Sequence, residues 1–385
     1  MMYRNVPKTN WRVSELSFGC MRFKDEDTAI EVIRKAIESG VNYFDVAPLY
    51  GNGTAEVYLG KGIRGLRDKV IVTAKSSPGN GGEDVGEYNP ETGFGIRTAD
   101  QARRQIERSM KILGVDHLDM YQFWALHGDS IFEDGIKRGG FMDGVLKAKD
   151  EGLFDYIGMT THSHSADIIR YIKDSPYEFD MVTLPFNLIH PERTEAIAYC
   201  AERGIGVVAM NPLAGGQLAK SVPIYQKIAS NAGCDSMIEA ALRFIIGQPG
   251  ATVALNGITY IDHVLQGTAA IEKGTLEMDT QARLLSELGE LYSTISPDRL
   301  CSQCRYCGKC PEGILIPEVL EIYTNLQLPA FAEDARQHLG AMIKLDPEGY
   351  DPAACTACRQ CEEKCPNKLP VSEMMAAAAE LWRMA

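Results

Sequence analysis

Eight cysteines in the C-terminal quarter constrain this chain more than any other feature. They stand in two runs, Cys301-x-x-Cys304-x-x-Cys307-x-x-Cys310-Pro311 and Cys355-x-x-Cys358-x-x-Cys361-x-x-x-Cys365-Pro366. Cysteines at this spacing that close on Cys-Pro are typical ligands of iron–sulfur clusters, and the fourth one commonly binds the neighbouring cluster. Eight thiolates predict two four-iron four-sulfur clusters. The first run has one residue fewer before its last cysteine, so a single cluster is the alternative.

Structural zinc and disulfides are the competing interpretations of these cysteines. Zinc takes four ligands per site, commonly one Cys-x-x-Cys pair from each arm, so two complete runs favour iron. A disulfide framework is disfavoured because residues 1–10 are polar and do not resemble a signal peptide. Cys20, Cys200 and Cys234 stand apart from both runs. We expect them to be buried thiols in a reducing compartment, the cytoplasm.

Charge and hydropathy exclude two classes of partner. The 385 residues include 39 Lys and Arg against 52 Asp and Glu, a formal net charge of -13. An acidic chain lacks the basic face that a nucleic acid requires. No apolar run reaches the ~18 residues of a membrane span. We therefore expect neither a nucleic acid nor a membrane as partner.

Short apolar runs alternate with helical patterns through residues 1–290. We predict eight strands there, at Leu16–Cys20, Val41–Asp45, Val70–Ala74, Leu118–Phe123, Tyr156–Met159, Met181–Leu184, Ile205–Met210 and Thr252–Leu255. Continuous apolar runs are typical of parallel strands that are covered on both faces. Eight such strand–helix units predict an α/β fold, the (β/α)8 TIM barrel. A doubly wound sheet is the alternative, but no G-x-G-x-x-G motif follows an early strand.

Two of the predicted helices have clear sequence signals. Thr98 and Gln101 form a capping box at the start of one helix, and Gly114 ends it. The first helix is predicted to bury the face that carries Ile30, Ile33 and Ile37, because these residues recur at helical spacing.

Three polar residues stand where two neighbouring strands end. Asp45 closes the second predicted strand, Tyr50 lies in the loop after it, and Lys75 follows the third strand. In a barrel, the catalytic residues lie at the C-terminal ends of the strands. An acid, a phenol and an amine at adjacent strand ends therefore predict a catalytic site.

The same residues carry a resemblance to a known family. Asp45-x-Ala47-x-x-Tyr50-Gly51, followed by the strand-ending Lys75, resembles the signature of the aldo-keto reductases. The resemblance covers residues 1–290, and residues 291–385 resemble the ferredoxin-type four-iron four-sulfur domain that marks one subgroup. It implies a (β/α)8 TIM barrel followed by a small α-helical ferredoxin-like iron–sulfur domain. Further matching segments are residues 3–22, Ser109–Gly114, Tyr156–Thr160 and Asn211–Gly216.

The resemblance implies an oxidoreductase that interconverts a carbonyl and an alcohol, such as a sugar or a small keto compound, with a nicotinamide cofactor. Tyr50 would be the general acid and base, Lys75 would lower its pKa, and Asp45 would hold Lys75 in place. In the family, a histidine at the end of the fourth strand orients the carbonyl and can help to move the proton. That position falls on Trp124, whose indole accepts no proton. His127, three residues further on, is the candidate for that role, and an exposed loop histidine is the alternative.

A nucleotide site is also implied by the resemblance. Thr160 and Thr161 stand where the family has a Ser-Asn pair for the carboxamide, and Thr183 replaces a glutamine. No Arg or Lys follows Gly257 to bind the 2′-phosphate of NADP, so NADP and NAD both stay open, and Tyr260 offers a ring that can stack on adenine. The implied cofactor-binding residues are Thr160, Thr161, Asn187, Met210, Pro212, Leu213, Gly216, Gly257, Thr259 and Tyr260.

The C-terminal domain resembles an α-helical ferredoxin, because residues 316–345 between the cysteine runs read as helical. The expected linker from the barrel is Gly289–Asp298. In that fold one cluster is bound by Cys301, Cys304, Cys307 and Cys365, and the other by Cys310, Cys355, Cys358 and Cys361.

Two other functions stay open beside the reductase. The chain could be a ferredoxin-linked electron-transfer protein, with a redox protein as partner in place of a small carbonyl or alcohol substrate. The third interpretation is drifted, non-hydride or metal-dependent chemistry on a barrel face where loop histidines gather. These are His127, His162, His164 and His190.

Overall fold

The computed structural model describes residues 1–80, 85–296 and 299–383. They form two compact units, Met1–Leu213 with Ile238–Glu277, and Ala214–Met237 with Met278–Ala385. The predicted domain boundary between residues 290 and 291 does not coincide with this division and stays a prediction. Residues 81–84 of the predicted loop Ser76–Gly95, and residues 297–298 of the predicted linker, lie outside the described residues.

The first unit contains a closed barrel of eight parallel strands in chain order, with the last strand paired to the first. This confirms the predicted TIM barrel and excludes a doubly wound sheet. The strands, after a hairpin of β1 Tyr3–Asn5 and β2 Arg12–Ser14, are β3 Leu16–Gly19, β4 Tyr43–Asp45, β5 Ile71–Ser76, β6 Leu118–Phe123, β7 Phe154–Thr160, β8 Met181–Pro185, β9 Gly206–Met210 and β10 Val253–Gly257.

The hairpin lies at the end of the barrel where the strands begin. Trp11 and Val13 pack in one cluster with Tyr43, Ile71 and Met181, the residues that open β4, β5 and β8. The apolar hairpin therefore closes the N-terminal end of the barrel. The opposite end, where the strands finish, is the end that carries the predicted polar residues.

Fifteen helices accompany the strands in the described parts of the chain. They are α1 Glu26–Glu38, α2 Ala55–Gly62, α3 Ala99–Leu113, α4 Asp129–Ile136, α5 Phe141–Asp150, α6 Ser165–Asp174, α7 Thr194–Glu202, α8 Pro223–Asn231, α9 Met237–Gly247, α10 Ile261–Glu272, α11 Met278–Leu291, α12 Ile316–Leu326, α13 Ala332–Leu345, α14 Gln360–Glu363 and α15 Val371–Trp382. Of the helices described, none is both long enough and apolar enough to cross a membrane.

The local helix signals are confirmed in α3 and partly wrong in α1. Thr98 and Gln101 form the capping box of α3, and Gly114 ends the helix in the left-handed conformation with φ 66°. The buried face of α1 instead consists of Ala29, Val32, Ile33 and Ala36, while Ile30 and Ile37 are half-buried at its margins. Smaller residues occupy the centre of that face because they allow the helix to approach its neighbours closely.

The second unit has its own apolar core. Val319 and Leu320 of α12 pack with Met374 and Ala378 of α15, and the cysteines lie around this cluster. Of residues 316–345, which the sequence predicts as helical, α12 and α13 cover all but the turn at residues 327–331. The linker was predicted to begin at Gly289, but this residue lies inside a helix, because α11 continues through Leu291.

Candidate functional site

The C-terminal end of the barrel brings Asp45, Lys75 and Tyr50 together. Asp45 is the last residue of β4, and Lys75 is the last but one of β5. The Lys75 ammonium is hydrogen-bonded to Asp45 Oδ1, and both side chains are only 2% exposed. Lys75 Nζ also lies 4.8 Å from the centroid of the Tyr50 ring. The three predicted residues thus form one group, in which Asp45 and Lys75 are buried and Tyr50 is half-buried.

Neutral neighbours complete the hydrogen bonding of Asp45. Its Oδ2 accepts bonds from Thr73 Oγ1 at 3.0 Å and from Gln122 Nε2 at 2.7 Å. The Gln122 amide oxygen in turn accepts from the Thr183 hydroxyl at 3.0 Å. A buried ion pair is tolerated when its remaining lone pairs are bonded in this way. The network crosses four strands and therefore fixes Lys75 rigidly beside Tyr50.

The pKa of Tyr50 is shifted in the direction opposite to the one expected. Burial raises this pKa well above its ordinary value, and the charges of Asp45 and Cys20 raise it further, while Arg22 lowers it. The expected lowering by Lys75 was wrong, because the net shift is upward and the Asp45 carboxylate bonded to Lys75 acts on the phenol in the opposite sense. Tyr50 is consequently a neutral phenol at physiological pH.

Trp124 and His127 have different neighbours. The indole of Trp124 meets the Tyr50 ring edge-on at 5.8 Å and stacks on Phe94 at 4.4 Å. His127 instead packs against His162, with ring centroids 5.3 Å apart, and its Nδ1 accepts a bond from the His162 N–H at 3.3 Å. His127 is 6% exposed, so the alternative of an exposed loop histidine is wrong. Its predicted catalytic role stays a prediction.

The other loop histidines do not act as one charged cluster. Burial, with the charges of His127 and Arg193, lowers the pKa of His162 well below its usual value. Burial also lowers the pKa of His190, while His164 is exposed at the start of α6. Within the parts of the chain that the structure describes, no group of three or more His, Cys, Asp or Glu side chains is arranged to hold a single metal ion.

Three residues predicted to bind the cofactor form hydrogen bonds with loops of the barrel, among them Thr160 and Thr161 at the expected carboxamide position. Thr160 Oγ1 accepts a backbone N–H of the loop after β6 at 2.9 Å, and the Thr161 hydroxyl donates to Leu126 O. The Asn187 amide donates to Asn211 O at 3.0 Å, and its oxygen accepts two backbone N–H groups at 2.9 Å. These side chains therefore already shape the loops that surround the site.

The expected phosphate and adenine end is more open. Gly216 has φ 108°, and a Cβ placed on it would meet nothing within 4 Å. Gly257 is exposed at the end of β10, and Tyr260 is 47% exposed with its ring against His263. The Thr259 N–H donates to His263 Nδ1 at 3.3 Å. Within the first unit, the exposed face of Tyr260 is therefore available for stacking, and its predicted contact with adenine stays a prediction.

The boundary between the two compact units falls in the loop after β9. Met210 ends β9 and is partly buried against the barrel interior. Pro212 and Leu213 follow it and close the first unit, and the second unit begins at Ala214. The predicted nucleotide-binding residues Leu213 and Gly216 therefore belong to different compact units.

The eight motif cysteines fall into two neighbouring groups. The charges of Cys304, Cys307 and Cys365 all act on Cys301. The other group surrounds a cleft of about 450 Å³, including its opening to solvent, which Cys307 also borders. The members of this second group are Cys310, Cys355, Cys358 and Cys361.

Both groups fit iron–sulfur clusters in their chemistry. Burial raises the pKa of Cys301, and it raises the pKa of Cys307 to about 12. Such thiols keep their protons until a metal displaces them, which is the usual coupling of metal binding to deprotonation. The four thiols of the second group around one cleft are a donor set that suits a four-iron cluster.

Sequence reasoning missed several residues of the site. Gln122 is completely buried within an apolar strand, and a glutamine inside such a run is the signal that could have found it. Cys20 and Arg22 follow β3 and act electrostatically on Tyr50. Their position directly after a barrel strand was the available signal.

Comparisons with known proteins agree with this architecture. The model described as Aldo/keto reductase family matches residues 15–286. A second model, described as 4Fe-4S dicluster domain, matches residues 300–369.

Similarity to individual proteins supports the match to the aldo/keto reductase model. An uncharacterized oxidoreductase of Bacillus subtilis, YqkF, is 26% identical over 297 residues, which cover 70% of this chain and 91% of that protein. L-galactose dehydrogenase of Arabidopsis thaliana is 27% identical over 327 residues, covering 76% of this chain and 94% of that protein. The solved structure of aldo-keto reductase AKR11C1 from Bacillus halodurans, in its holo form, has a TM-score of 0.62 at 23% identity, over 74% of this chain and 96% of that one. This last likeness shows the fold.

Proposed function

The chain belongs to the aldo/keto reductase family, and on that premise we propose that it interconverts a carbonyl and an alcohol with a nicotinamide cofactor, with Tyr50 as the general acid and base. The observation that carries the proposal is the contact of the half-buried Tyr50 with the buried pair of Lys75 and Asp45 at the strand ends. We assign the barrel to residues 1–290 and the iron–sulfur domain to residues 291–385.

The proton chemistry follows from the state of Tyr50. The neutral phenol donates its proton to the carbonyl oxygen of the substrate, on which negative charge develops during reduction. A bound nicotinamide supplies or accepts the hydride. Lys75 and Asp45 hold the phenol in position, and Trp124 with Phe94 forms an apolar wall beside it. His127 is proposed for the role of the family's histidine, which orients the carbonyl of the substrate.

The raised pKa of Tyr50 predicts a pH profile. Reduction needs the protonated phenol, and its pKa lies above the ordinary value of ~10, so reduction should stay level up to about pH 9. Alcohol oxidation needs the phenolate and should accelerate throughout the same range. Initial rates in both directions between about pH 6 and 10 measure this. A reduction rate that falls with an apparent pKa near 7 would contradict the assignment.

The nucleotide is proposed to lie along the open loops. Gly216, Gly257, Thr259 and Tyr260 would contact its phosphates and adenine, with Met210, Pro212 and Leu213 beside the ring. Thr160, Thr161 and Asn187 are proposed to shape the pocket for the carboxamide through the backbone that they hold. Because no Lys or Arg stands in residues 257–261, we expect NADH to bind at least as well as NADPH.

The direct test uses Tyr50→Phe in the iron-loaded protein, with Tyr58→Phe as the matched control. A substrate panel should include sugars, since one relative is named L-galactose dehydrogenase, together with keto acids and aromatic ketones. Loss of the phenol should lower kcat by at least about 10²-fold while nucleotide affinity, measured by calorimetry, is retained. Unchanged turnover in Tyr50→Phe would overturn the proposal.

The second candidate is an electron-transfer protein whose hydride chemistry is weakened. Trp124 at the usual histidine position and the engaged carboxamide residues favour it. The clusters would be held by the two cysteine groups and supply one-electron chemistry, in the cytoplasm. Cys358 is exposed, so a redox protein is proposed to meet the chain there. Absence of cluster reduction by reduced ferredoxin and by reduced flavodoxin would remove that partner.

A further inference from the structure

The two cysteine runs contain matched left-handed residues. Gln303, within Cys301-x-x-Cys304, has φ 57°, and Ala357 at the corresponding place in the second run has φ 53°. Alanine is therefore compatible with this backbone conformation. The long side chain of Gln303 needs another explanation.

Gln303 contacts the loop that follows β9. Its side chain lies so close to Gly215 that a Cβ on Gly215 would come within 2.4 Å of the Gln303 Cβ. The Gln303 Nε2 donates to Pro317 O at 2.6 Å, and the residue is 7% exposed. These contacts fix the side chain between α12 and the glycine loop.

The backbone of Gln303 lies between two predicted cluster ligands. Gln303 follows Cys301 by two residues and directly precedes Cys304, and its φ of 57° sets the course of the run between them. One residue thus belongs to the cysteine run through its backbone and contacts the glycine loop through its side chain.

Further bonds hold the same loop within the second unit. Gln217 Nε2 donates to Asn325 Oδ1 at 2.7 Å and to the Tyr292 hydroxyl at 3.0 Å. Lys220 Nζ donates to Glu321 Oε1 at 2.6 Å. The loop at Gly215 and Gly216 therefore takes its conformation from the unit that carries the cysteines, although it directly follows a barrel strand.

We propose that Gln303 is a positioning residue that couples the first iron–sulfur site to the glycine loop, so that iron bound at Cys301 favours the nucleotide-binding conformation of Gly215 and Gly216. The inference rests on the proposed nucleotide site at Gly216. Such coupling is reciprocal, so nucleotide must also stabilise the iron of the first site.

The experiment compares iron-loaded wild type with Gln303→Ala and with the matched control Ala357→Gly. Gln303→Ala makes the first run resemble the second, so both clusters should still assemble, which iron and sulfide analysis verifies. Anaerobic calorimetry should show NADH binding about tenfold more weakly to Gln303→Ala, a typical allosteric coupling, and unchanged to Ala357→Gly. Release of iron to a chelator should be slowed by NADH in wild type and not in Gln303→Ala.

Hydrogen exchange separates this proposal from the proposed function. Amides of residues 213–218 should exchange faster in iron-loaded Gln303→Ala than in wild type, whether or not nucleotide binds. If wild type binds neither NADH nor NADPH, the nucleotide site is wrong while this readout still tests the coupling. Equal exchange in both proteins overturns the coupling. The coupling is also overturned if Gln303→Ala lowers the unfolding temperature but leaves the affinity for NADH unchanged, because Gln303 would then contribute only packing.

Discussion

The two cysteine runs have the same backbone conformation at matched positions but differ in their surroundings. Arg305 and Arg359, at corresponding places, have φ values of 66° and 59°. Gln303 and Ala357, two residues earlier in each run, also have matching φ values. Yet Ser302 and Gln303 are buried, whereas residues 356–360 are all exposed. Local spacing thus sets the conformation of a cysteine run, and its neighbours decide whether it serves as internal support or faces solvent.

The largest effect should come from removing one ligand in each run. Cys304→Ser should lose the first iron site and destabilise the second unit by at least about 4 kcal/mol, since loss of a metal site is among the few changes of that size. Cys358→Ser, at the exposed counterpart, should lose its iron with a smaller loss of stability. Iron analysis with thermal unfolding measures both, and equal destabilisation would remove the distinction between the runs.

A smaller effect should come from adding one methyl group to a left-handed glycine. Gly215→Ala should cost about 1–2 kcal/mol for its φ of 70° and about 1–3 kcal/mol more for its clash with Gln303. Gly308→Ala, with φ 71° and Lys364 Nζ 3.8 Å away, should cost the conformational part alone. Urea unfolding of the iron-loaded proteins compares them. If Gly215→Ala lowers the free energy of unfolding no more than Gly308→Ala does, the loop at Gly215 moves enough to accommodate the methyl group.

The smallest effect concerns the paired arginines. Arg305 bonds Glu318 at 2.7 Å, while Arg359 lies 3.8 Å from Glu362 and is 72% exposed. Arg305→Ala should cost about 0.5–1 kcal/mol and Arg359→Ala close to nothing, because exposed ion pairs contribute little. Denaturant unfolding at low and high salt detects the difference. A larger cost for Arg359→Ala would mean that the second run is the better supported one.

Much of the architecture was predictable because it depends on patterns along the chain. Apolar runs at strand length located all eight barrel strands, and the capping box located the start of α3. The convergence of Asp45, Tyr50 and Lys75 followed from their places at strand ends. The buried face of α1 was less predictable, because it is chosen by what packs against the helix and not by the largest apolar residues.

The sequence by itself determined a TIM barrel followed by a cysteine-rich module, together with the residue types available for proton and electron chemistry. Only the tertiary structure decided that Lys75 is hydrogen-bonded to Asp45, that Gln122 completes their network and that His127 packs on His162. It also decided that the loop after β9 belongs to the second unit from Ala214 onward. The physical reason is that burial, charge and close packing at a side chain come from elements far away in sequence, whereas spacing and periodicity are local.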